Sequence, residues 1–158
     1  LGGEWPRAHA RLLNHAPDAL AWTAAEACTL IHGDFSPRNV AVRATAFGPK
    51  LCAFDWELAR IGLPQRDVVE FLCFVLPPAA PAGEMIRCVE FARLALQRAA
   101  RRDIEHAWWQ AGLRTAVGEF GVTRLPVYFL AHRFRPQAFL ERVARCWWRF
   151  ASVLGTEP

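Results

Sequence analysis

The sequence predicts an α+β domain that is mostly α, in which a short β element is followed by a bundle of helices. The chain has 158 residues, of which 53% are hydrophobic and 22% charged, a balance typical of a globular domain. Short apolar stretches separated by turn residues lie in the first third of the chain, and the later apolar residues recur at helical spacing. Because no internal repeat or low-complexity linker interrupts the chain, we expect residues 1–158 to form a single domain.

The β element is predicted from short apolar stretches that follow a first helix over residues 5–15. These stretches are Thr29–Ile31, Val40–Val42 and Leu51–Phe54. Gly48-Pro49 is a typical turn pair, so we place the turn between the second and third strands there. A hairpin is therefore expected between His32 and Asp55.

The helical bundle is predicted from apolar periodicity and from prolines that end or begin helices. The expected helices cover Asp67–Leu76, a long segment after Pro81 and Gly83, Ile104–Val117, a short segment from Pro126 to Arg133, and about residues 137–153. The pairs Trp108-Trp109 and Trp147-Trp148 lie on these helices, which favours core or groove-lining positions over stacking on a substrate.

Two polar segments at the ends of predicted strands carry the chemistry. A strand delivers His32 into a loop in which Asp34 and Asn39 are five residues apart, and the hairpin returns Asp55 beside that loop. Gly33 allows close approach of the backbone in the loop. The result is two carboxylates and one amide near each other, a set of oxygen donors that suits magnesium shared with substrate phosphates.

The spacing His-x-Asp-x-x-x-x-Asn, followed by an Asp after a hairpin, resembles the catalytic and metal-binding motifs of the protein-kinase superfamily. The variant His-Gly-Asp at residues 32–34, with Asp-Trp-Glu at residues 55–57, resembles the aminoglycoside phosphotransferase and choline kinase family. Residues 62–67, Gly-Leu-Pro-Gln-Arg-Asp, are similar to the Gly-x-Pro-x-x-Asp segment of that family. The resemblance covers about residues 30–72 and implies the C-terminal lobe of a protein-kinase-like fold.

The resemblance implies a role for each matching residue. Asp34 would orient the acceptor hydroxyl and take its proton, and Asn39 and Asp55 would hold Mg²⁺ on the phosphates of ATP, the co-substrate. His32 would support the loop, and Asp67 would accept hydrogen bonds from its backbone. The implied activity is the ATP-dependent transfer of the γ-phosphoryl group to a hydroxyl of a small molecule of the aminoglycoside, choline or homoserine type.

A kinase of this type also needs a glycine-rich loop and a strand lysine on an N-terminal lobe. Gly2 and Gly3 do not form such a loop, and Lys50 lies inside the hairpin. We therefore expect the N-terminal ATP-binding lobe to be absent and the fragment alone to be weakly active or inactive. The single Met, Met85, lies well inside the chain, which also indicates a piece of a longer protein.

The expected partners are a small hydroxylated substrate, a nucleotide and the missing N-terminal lobe. No membrane partner is expected, because no run of eighteen uncharged apolar residues is present. All but Lys50 of the 19 basic residues are Arg, but they are scattered among acidic residues, so we do not expect nucleic acid to bind. The five cysteines follow no disulfide or zinc pattern, which predicts a cytoplasmic protein.

Alternatives to a phosphotransferase stay open at the level of sequence. They are a catalytically inactive kinase-like binding module, a nucleic-acid-binding helical domain and a metal-dependent hydrolase. The joint presence of Asp34, Asn39 and Asp55 argues against an inactive module, which has no chemical need for all three. The acceptor could be homoserine, choline, a sugar or a macrolide, and the net charge of +4 argues weakly against polycationic aminoglycosides.

Overall fold

The computed structural model describes residues 28–155, so the helix predicted over residues 5–15 lies outside the described residues. The described chain is mostly helical, with two small antiparallel sheets ahead of the helices. The strands are β1 (Thr29–Ile31), β2 (Val40–Thr45), β3 (Gly48–Ala53) and β4 (Arg60–Gly62). The α-helices are α1 (Pro64–Val75), α2 (Ala82–Ala100), α3 (His106–Glu119), α4 (Leu125–Phe134) and α5 (Leu140–Val153).

The predicted hairpin is formed by β2 and β3, which pair in antiparallel register with Thr45 opposite Gly48. The placement of its turn at Gly48–Pro49 was wrong, since both residues belong to β3 and the turn is Ala46–Phe47. The side chain of Thr45 explains the difference. Its hydroxyl accepts a hydrogen bond from the backbone N–H of Phe47 at 3.2 Å and donates to the carbonyl of Gly48 at 2.7 Å, which closes the turn before Gly48.

The pairing of β1 with β4 was not predicted. Each strand has three residues, and Thr29 lies opposite Gly62 while Ile31 lies opposite Arg60. A Cβ atom at Gly62 would lie 2.7 Å from Cδ1 of Ile31, so glycine leaves the room that this buried isoleucine occupies. The small sheet brings the chain that enters α1 back beside the strand that delivers His32.

The helices begin and end near the predicted positions, with two differences. Helix α1 begins at Pro64 and not at Asp67, because proline suits the first turn of a helix. Helices α3 and α4 are joined by a π-helical turn, Phe120–Arg124, in place of a break before Pro126. Pro126 lies in the first turn of α4, directly after the π-helical turn, a position that proline tolerates better than the middle of a regular helix.

The core lies between α1, α3 and α5, which pack against one another. Trp109 on α3 and Trp147 on α5 are fully buried there, as predicted, and Trp108 and Trp148 are half-buried. Both buried indoles keep a hydrogen bond, from Trp109 to the carbonyl of Val89 at 3.1 Å and from Trp147 to that of Val117 at 2.7 Å. The tryptophans therefore join helices as well as fill the core.

No helix within residues 28–155 combines the length and the apolar character needed to span a bilayer. The longest, α2, has 19 residues and carries several arginines.

Two leucines on α4 allow a matched test of this packing. Leu125 is 0% exposed and Leu130 is 62% exposed. We expect Leu125→Ala to lower the free energy of unfolding by about 2–5 kcal/mol, because it leaves a cavity in the core. Leu130→Ala should change it by no more than about 0.5 kcal/mol. Urea unfolding followed by circular dichroism measures both, and equal losses would contradict the described orientation of α4.

Candidate active site

The loop from His32 to Asn39 connects β1 to β2 and is anchored on α1. The backbone N–H of His32 donates to Oδ2 of Asp67 at 2.6 Å, and that of Gly33 donates to Oδ1 at 3.0 Å. Asp67 lies in the first turn of α1, where the helix dipole favours a carboxylate. These two hydrogen bonds hold the start of the loop on α1.

His32 connects the loop to the strand exit that precedes Asp55. The ring is 1% exposed, and its Nε2 lies 2.8 Å from the carbonyl of Phe54. Its Nδ1 lies 3.4 Å from the backbone N of Asp34, which can only donate. Nδ1 must therefore accept, so the ring proton is assigned to Nε2, which donates to the carbonyl of Phe54. The ring also lies against Trp56, with centroids 4.6 Å apart, so His32 holds both segments of the site together.

Asn39 is buried and closes the loop on itself. Its Nδ2 donates to Oδ2 of Asp34 at 2.9 Å and to the carbonyl of Asp34 at 2.9 Å. Its own carbonyl accepts the backbone N–H of Phe54 at 3.0 Å. The amide nitrogen of Asn39 therefore positions Asp34, and the backbone of Asn39 joins the loop to the segment that carries Asp55.

Asp55 is exposed and has a left-handed backbone, with φ 66° and ψ 57°. A residue other than glycine in this region carries about 1–2 kcal/mol of strain, which asparagine and aspartate tolerate best. Within residues 28–155 its carboxylate makes no hydrogen bond or ion pair. The hydrogen bonds on both sides of the neighbouring Phe54 hold Asp55 beside the loop, with its carboxylate available to a ligand.

Two residues that the sequence analysis missed complete the site. Nη2 of Arg124, in the π-helical turn, lies 2.6 Å from Oδ1 of Asp34, and its Nε donates to Oε1 of Glu70 at 3.1 Å. Glu70 is 0% exposed, and Tyr128 donates to the same Oε1 at 3.4 Å. Glu70 follows Asp67 by one helical turn, a spacing that could have found it. No local pattern could have found Arg124, which lies 90 residues from Asp34.

A second guanidinium lies beside Asp34. Nη2 of Arg38 is 3.8 Å from Oδ1 of Asp34, and its Nε donates to Ser36 at 3.4 Å. Its guanidinium carbon lies 5.7 Å from the ring centroid of Phe74 and 5.6 Å from that of Phe139, within reach of a cation–π interaction. One oxygen of Asp34 is therefore near two positive charges.

Burial dominates the titration of Glu70. It raises the pKa of Glu70 from 4.5 to about 7, and the charge and hydrogen bond of Arg124 oppose the rise. Burial also raises the pKa of Tyr128 to about 12, and the charge of Glu70 adds to this rise. The buried side of the site thus contains a carboxyl group that changes charge near neutral pH.

Asn39 and Asp55 are the residues that the resemblance implies as ligands of a magnesium ion. Among residues 28–155, no cluster of three or more His, Cys, Asp or Glu side chains is placed to hold a metal ion. The Oδ1 atom of Asn39 and the carboxylate of Asp55 do not hydrogen-bond to described residues, so both keep oxygen donors for a ligand. One carboxylate and one amide fit Mg²⁺, which keeps several waters and shares phosphate oxygens.

A comparison with protein-family models identifies the family of the chain. The model of the APH family, described as the phosphotransferase enzyme family, matches residues 3–111, more than half of the chain. The chain belongs to this family. Membership in the APH family indicates an enzyme that transfers phosphoryl groups in general. No curated protein and no solved structure matches the chain.

Gly33, in the loop from His32 to Asn39, and Gly48, in β3, allow a matched test of how tightly this loop packs, because both have positive φ, +79° and +101°. A Cβ at Gly33 would lie 2.3 Å from the carbonyl oxygen of Leu58, and one at Gly48 would have no atom within 4 Å. Gly48→Ala should lower the free energy of unfolding by about 1–2 kcal/mol, from backbone strain alone. Gly33→Ala should lower it by at least about 3 kcal/mol, because the Leu58 backbone must also move. Thermal unfolding measures both, and a Gly33→Ala loss no larger than that of Gly48→Ala would contradict the contact.

Glu70→Gln tests the buried carboxyl group through the pH dependence of stability. Because the folded chain holds the proton more tightly than the unfolded chain, the contribution of Glu70 is full below pH 4.5 and is lost as the pH rises to about 7. The loss should be about 3 kcal/mol. Relative to Glu70→Gln, the wild type should therefore become less stable between pH 4.5 and 7.5. Urea unfolding of both proteins across this range measures the difference, and a pH-independent difference would contradict the raised pKa.

Proposed function

We propose that the chain carries the catalytic centre of an ATP-dependent phosphotransferase that moves the γ-phosphoryl group to a hydroxyl of a small molecule. One observation supports this most directly. Phe54 donates its N–H to Asn39 and accepts from His32, at 3.0 and 2.8 Å, so Asp55 follows a residue that is hydrogen-bonded to the loop of Asp34. Two segments that the resemblance assigns to one site are thus adjacent in the structure.

The proposed fold is the C-terminal lobe of a protein-kinase-like fold. A hairpin carries the catalytic loop at its start and Asp55 at its end, and a helical bundle supports both. The anchoring of the loop by Asp67, from the first turn of α1, is consistent with this assignment. We expect the base and sugar of ATP to need an N-terminal lobe, and we place the whole protein in the cytoplasm on the unpatterned cysteines.

Asp34 is the proposed acceptor-side residue. Its carboxylate would accept a hydrogen bond from the acceptor hydroxyl, hold the oxygen toward the γ-phosphorus, and take the proton as the new P–O bond forms and the bond to the leaving ADP oxygen breaks. Its side chain is 22% exposed, so it is within reach of a substrate. Because the transition state of phosphoryl transfer is loose, the protein contributes mainly by positioning and charge.

Asn39 and Asp55 are the proposed magnesium ligands. Bound Mg²⁺ would neutralise charge on the phosphates of ATP. Asn39 is rigidly held, because its Nδ2 donates twice to Asp34. Asp55 is exposed and has no competing partner in the described part of the chain. Asn39 would thus be a rigid ligand and Asp55 an accessible one, on two segments joined through Phe54. Such a pair suits an ion that also binds phosphate.

The test is the binding of ATP to the 158-residue chain with and without Mg²⁺, by calorimetry or, if binding is weak, by NMR titration. We expect Mg²⁺-dependent binding that weakens at least about tenfold in Asp55→Ala, because a charged ligand to the ion is lost. Asp34→Asn is the matched control, since it removes the proposed base but no proposed ligand of the ion. It should keep binding. Equal affinities of the wild type and Asp55→Ala, or loss of binding in Asp34→Asn alone, would contradict these roles.

A further inference from the structure

We propose that Arg124 is a positioning residue for Asp34 and that the buried carboxylate of Glu70 holds Arg124 in place. The inference rests on the proposed function of Asp34 as the acceptor-side base. Its structural part, that Arg124 and Glu70 set where the Asp34 carboxylate lies, can be tested without any phosphoryl transfer.

The first step is the geometry of one guanidinium shared by two carboxylates. Nη2 of Arg124 lies 2.6 Å from Asp34 and 3.0 Å from Glu70, and its Nε donates to Glu70 at 3.1 Å. The guanidinium is planar and rigid, so fixing its Nε edge on Glu70 also fixes the direction of Nη2. Helix α1 thereby reaches the catalytic loop a second time, through a side chain from the π-helical turn.

The second step is that both oxygens of Asp34 are held by donors. Oδ2 accepts from Nδ2 of Asn39 at 2.9 Å, and Oδ1 accepts from Arg124 at 2.6 Å. With Asn39 alone the carboxylate could still rotate about its bond to Cβ, and the second donor removes that freedom. Each oxygen keeps a lone pair for an acceptor hydroxyl. Precise orientation matters here, because a misplacement of about 1 Å can lower the rate about 100-fold.

The third step is that packing alone does not explain Glu70. Its side chain is 0% exposed, and its Oε2 has no hydrogen-bond partner within the described residues. A carboxylate buried in this way is unfavourable unless a partner compensates for its desolvation. A protein with an apolar side chain of similar volume at this position would usually be no less stable. The compensating partner is Arg124. The pair is therefore better explained by the position that it imposes on Asp34 than by a gain in stability.

The local backbone supports this reading of Arg124. Arg124 ends the π-helical turn Phe120–Arg124, and the N–H of the next residue, Leu125, bonds back to the carbonyl of Phe120. The turn inserts an extra residue into the helical path, and such insertions occur frequently at functional sites. Glu119, just before the turn, is held by Arg60 at 3.0 Å and by Arg66 at 2.8 Å, so the turn is fixed at both ends.

The charge of Glu70 should affect Asp34 through this link. Burial raises the pKa of Glu70 to about 7, so its ion pair with Arg124 weakens as the pH falls below neutral. The titratable or charged groups near Glu70 are Asp34 of the loop, Asp67 and Cys73 of α1, Arg124 of the π-helical turn, Tyr128 of α4 and, through Cys73, Cys146 of α5.

The experiment detects movement of the Asp34 carboxylate from the NMR signals of the neighbouring residue, Asn39. The side-chain amide of Asn39 donates directly to Asp34, so its two N–H signals in a ¹H–¹⁵N NMR spectrum report movement of that carboxylate. We expect Arg124→Gln to shift and broaden these signals and Arg124→Lys to restore them in part, because lysine keeps the charge but not the planar fork. Arg145→Gln, which breaks the exposed ion pair with Glu141 on α5, is the matched control and should leave them unchanged.

The double variant Glu70→Gln/Arg124→Gln separates positioning from stability. It removes both charges, so its melting temperature should recover toward that of the wild type, while the Asn39 signals stay shifted as in Arg124→Gln. In the wild type the signals should also titrate with a midpoint near pH 7, and in Glu70→Gln that step should disappear. Wild-type signals in the double variant, or the same titration in Glu70→Gln and the wild type, would overturn the proposal.

Where phosphoryl transfer is measured, Arg124→Gln should lower kcat about 100-fold and change the KM for ATP less than about twofold. An unchanged kcat together with shifted Asn39 signals would show that Arg124 positions Asp34 but that this position does not matter for turnover, which overturns the catalytic part. Absence of transfer in the wild type would count against the proposed function and leave the NMR result to decide the positioning of Asp34.

Discussion

The rest of the site depends on the carboxylate of Asp67, which accepts the backbone N–H groups of His32 and Gly33. Both N–H groups belong to a loop that lies outside any sheet ladder at that point, so without this acceptor they would be buried and unpaired. The contact places the loop on the first turn of α1, a rigid element of the core. In the anchored loop, His32 contacts the carbonyl of Phe54, and Asp34 lies next to Asn39. The carboxylate of Asp67 therefore organises the site without a chemical role of its own.

The positive charges around Asp34 fix the position of its carboxylate without fully neutralising its charge. Arg124 is shared between Asp34 and a buried Glu70, and Arg38 remains 3.8 Å from the same oxygen of Asp34 while it lies over two aromatic rings. Burial of the charged form of Glu70 is unfavourable, and the pKa of this carboxyl group is raised for that reason. A site that keeps an unfavourable group in order to fix the carboxylate that is proposed to react is typical of the trade-off between stability and function.

Much of the local structure could be predicted because it depends on short-range physics. The apolar stretches predicted β1, β2 and β3, and prolines predicted where the helices begin or end. The turn at Ala46–Phe47 was missed because the hydroxyl of Thr45 closes it, and Gly48–Pro49 carried the stronger turn signal. Strand β4 was missed because three residues show no periodicity, and its existence depends on pairing with β1, about thirty residues earlier.

The family could be recognised from the sequence, because the order and spacing of His32, Asp34, Asn39, Asp55 and Asp67 resemble its motifs, and the family model matches residues 3–111. How these residues are held became visible in the folded chain alone. The left-handed backbone of Asp55, the hydrogen bonds to Phe54 and the ion pair from Arg124 join segments that are distant along the chain. Such contacts leave no local pattern, since each partner alone is an ordinary polar residue on a loop or helix.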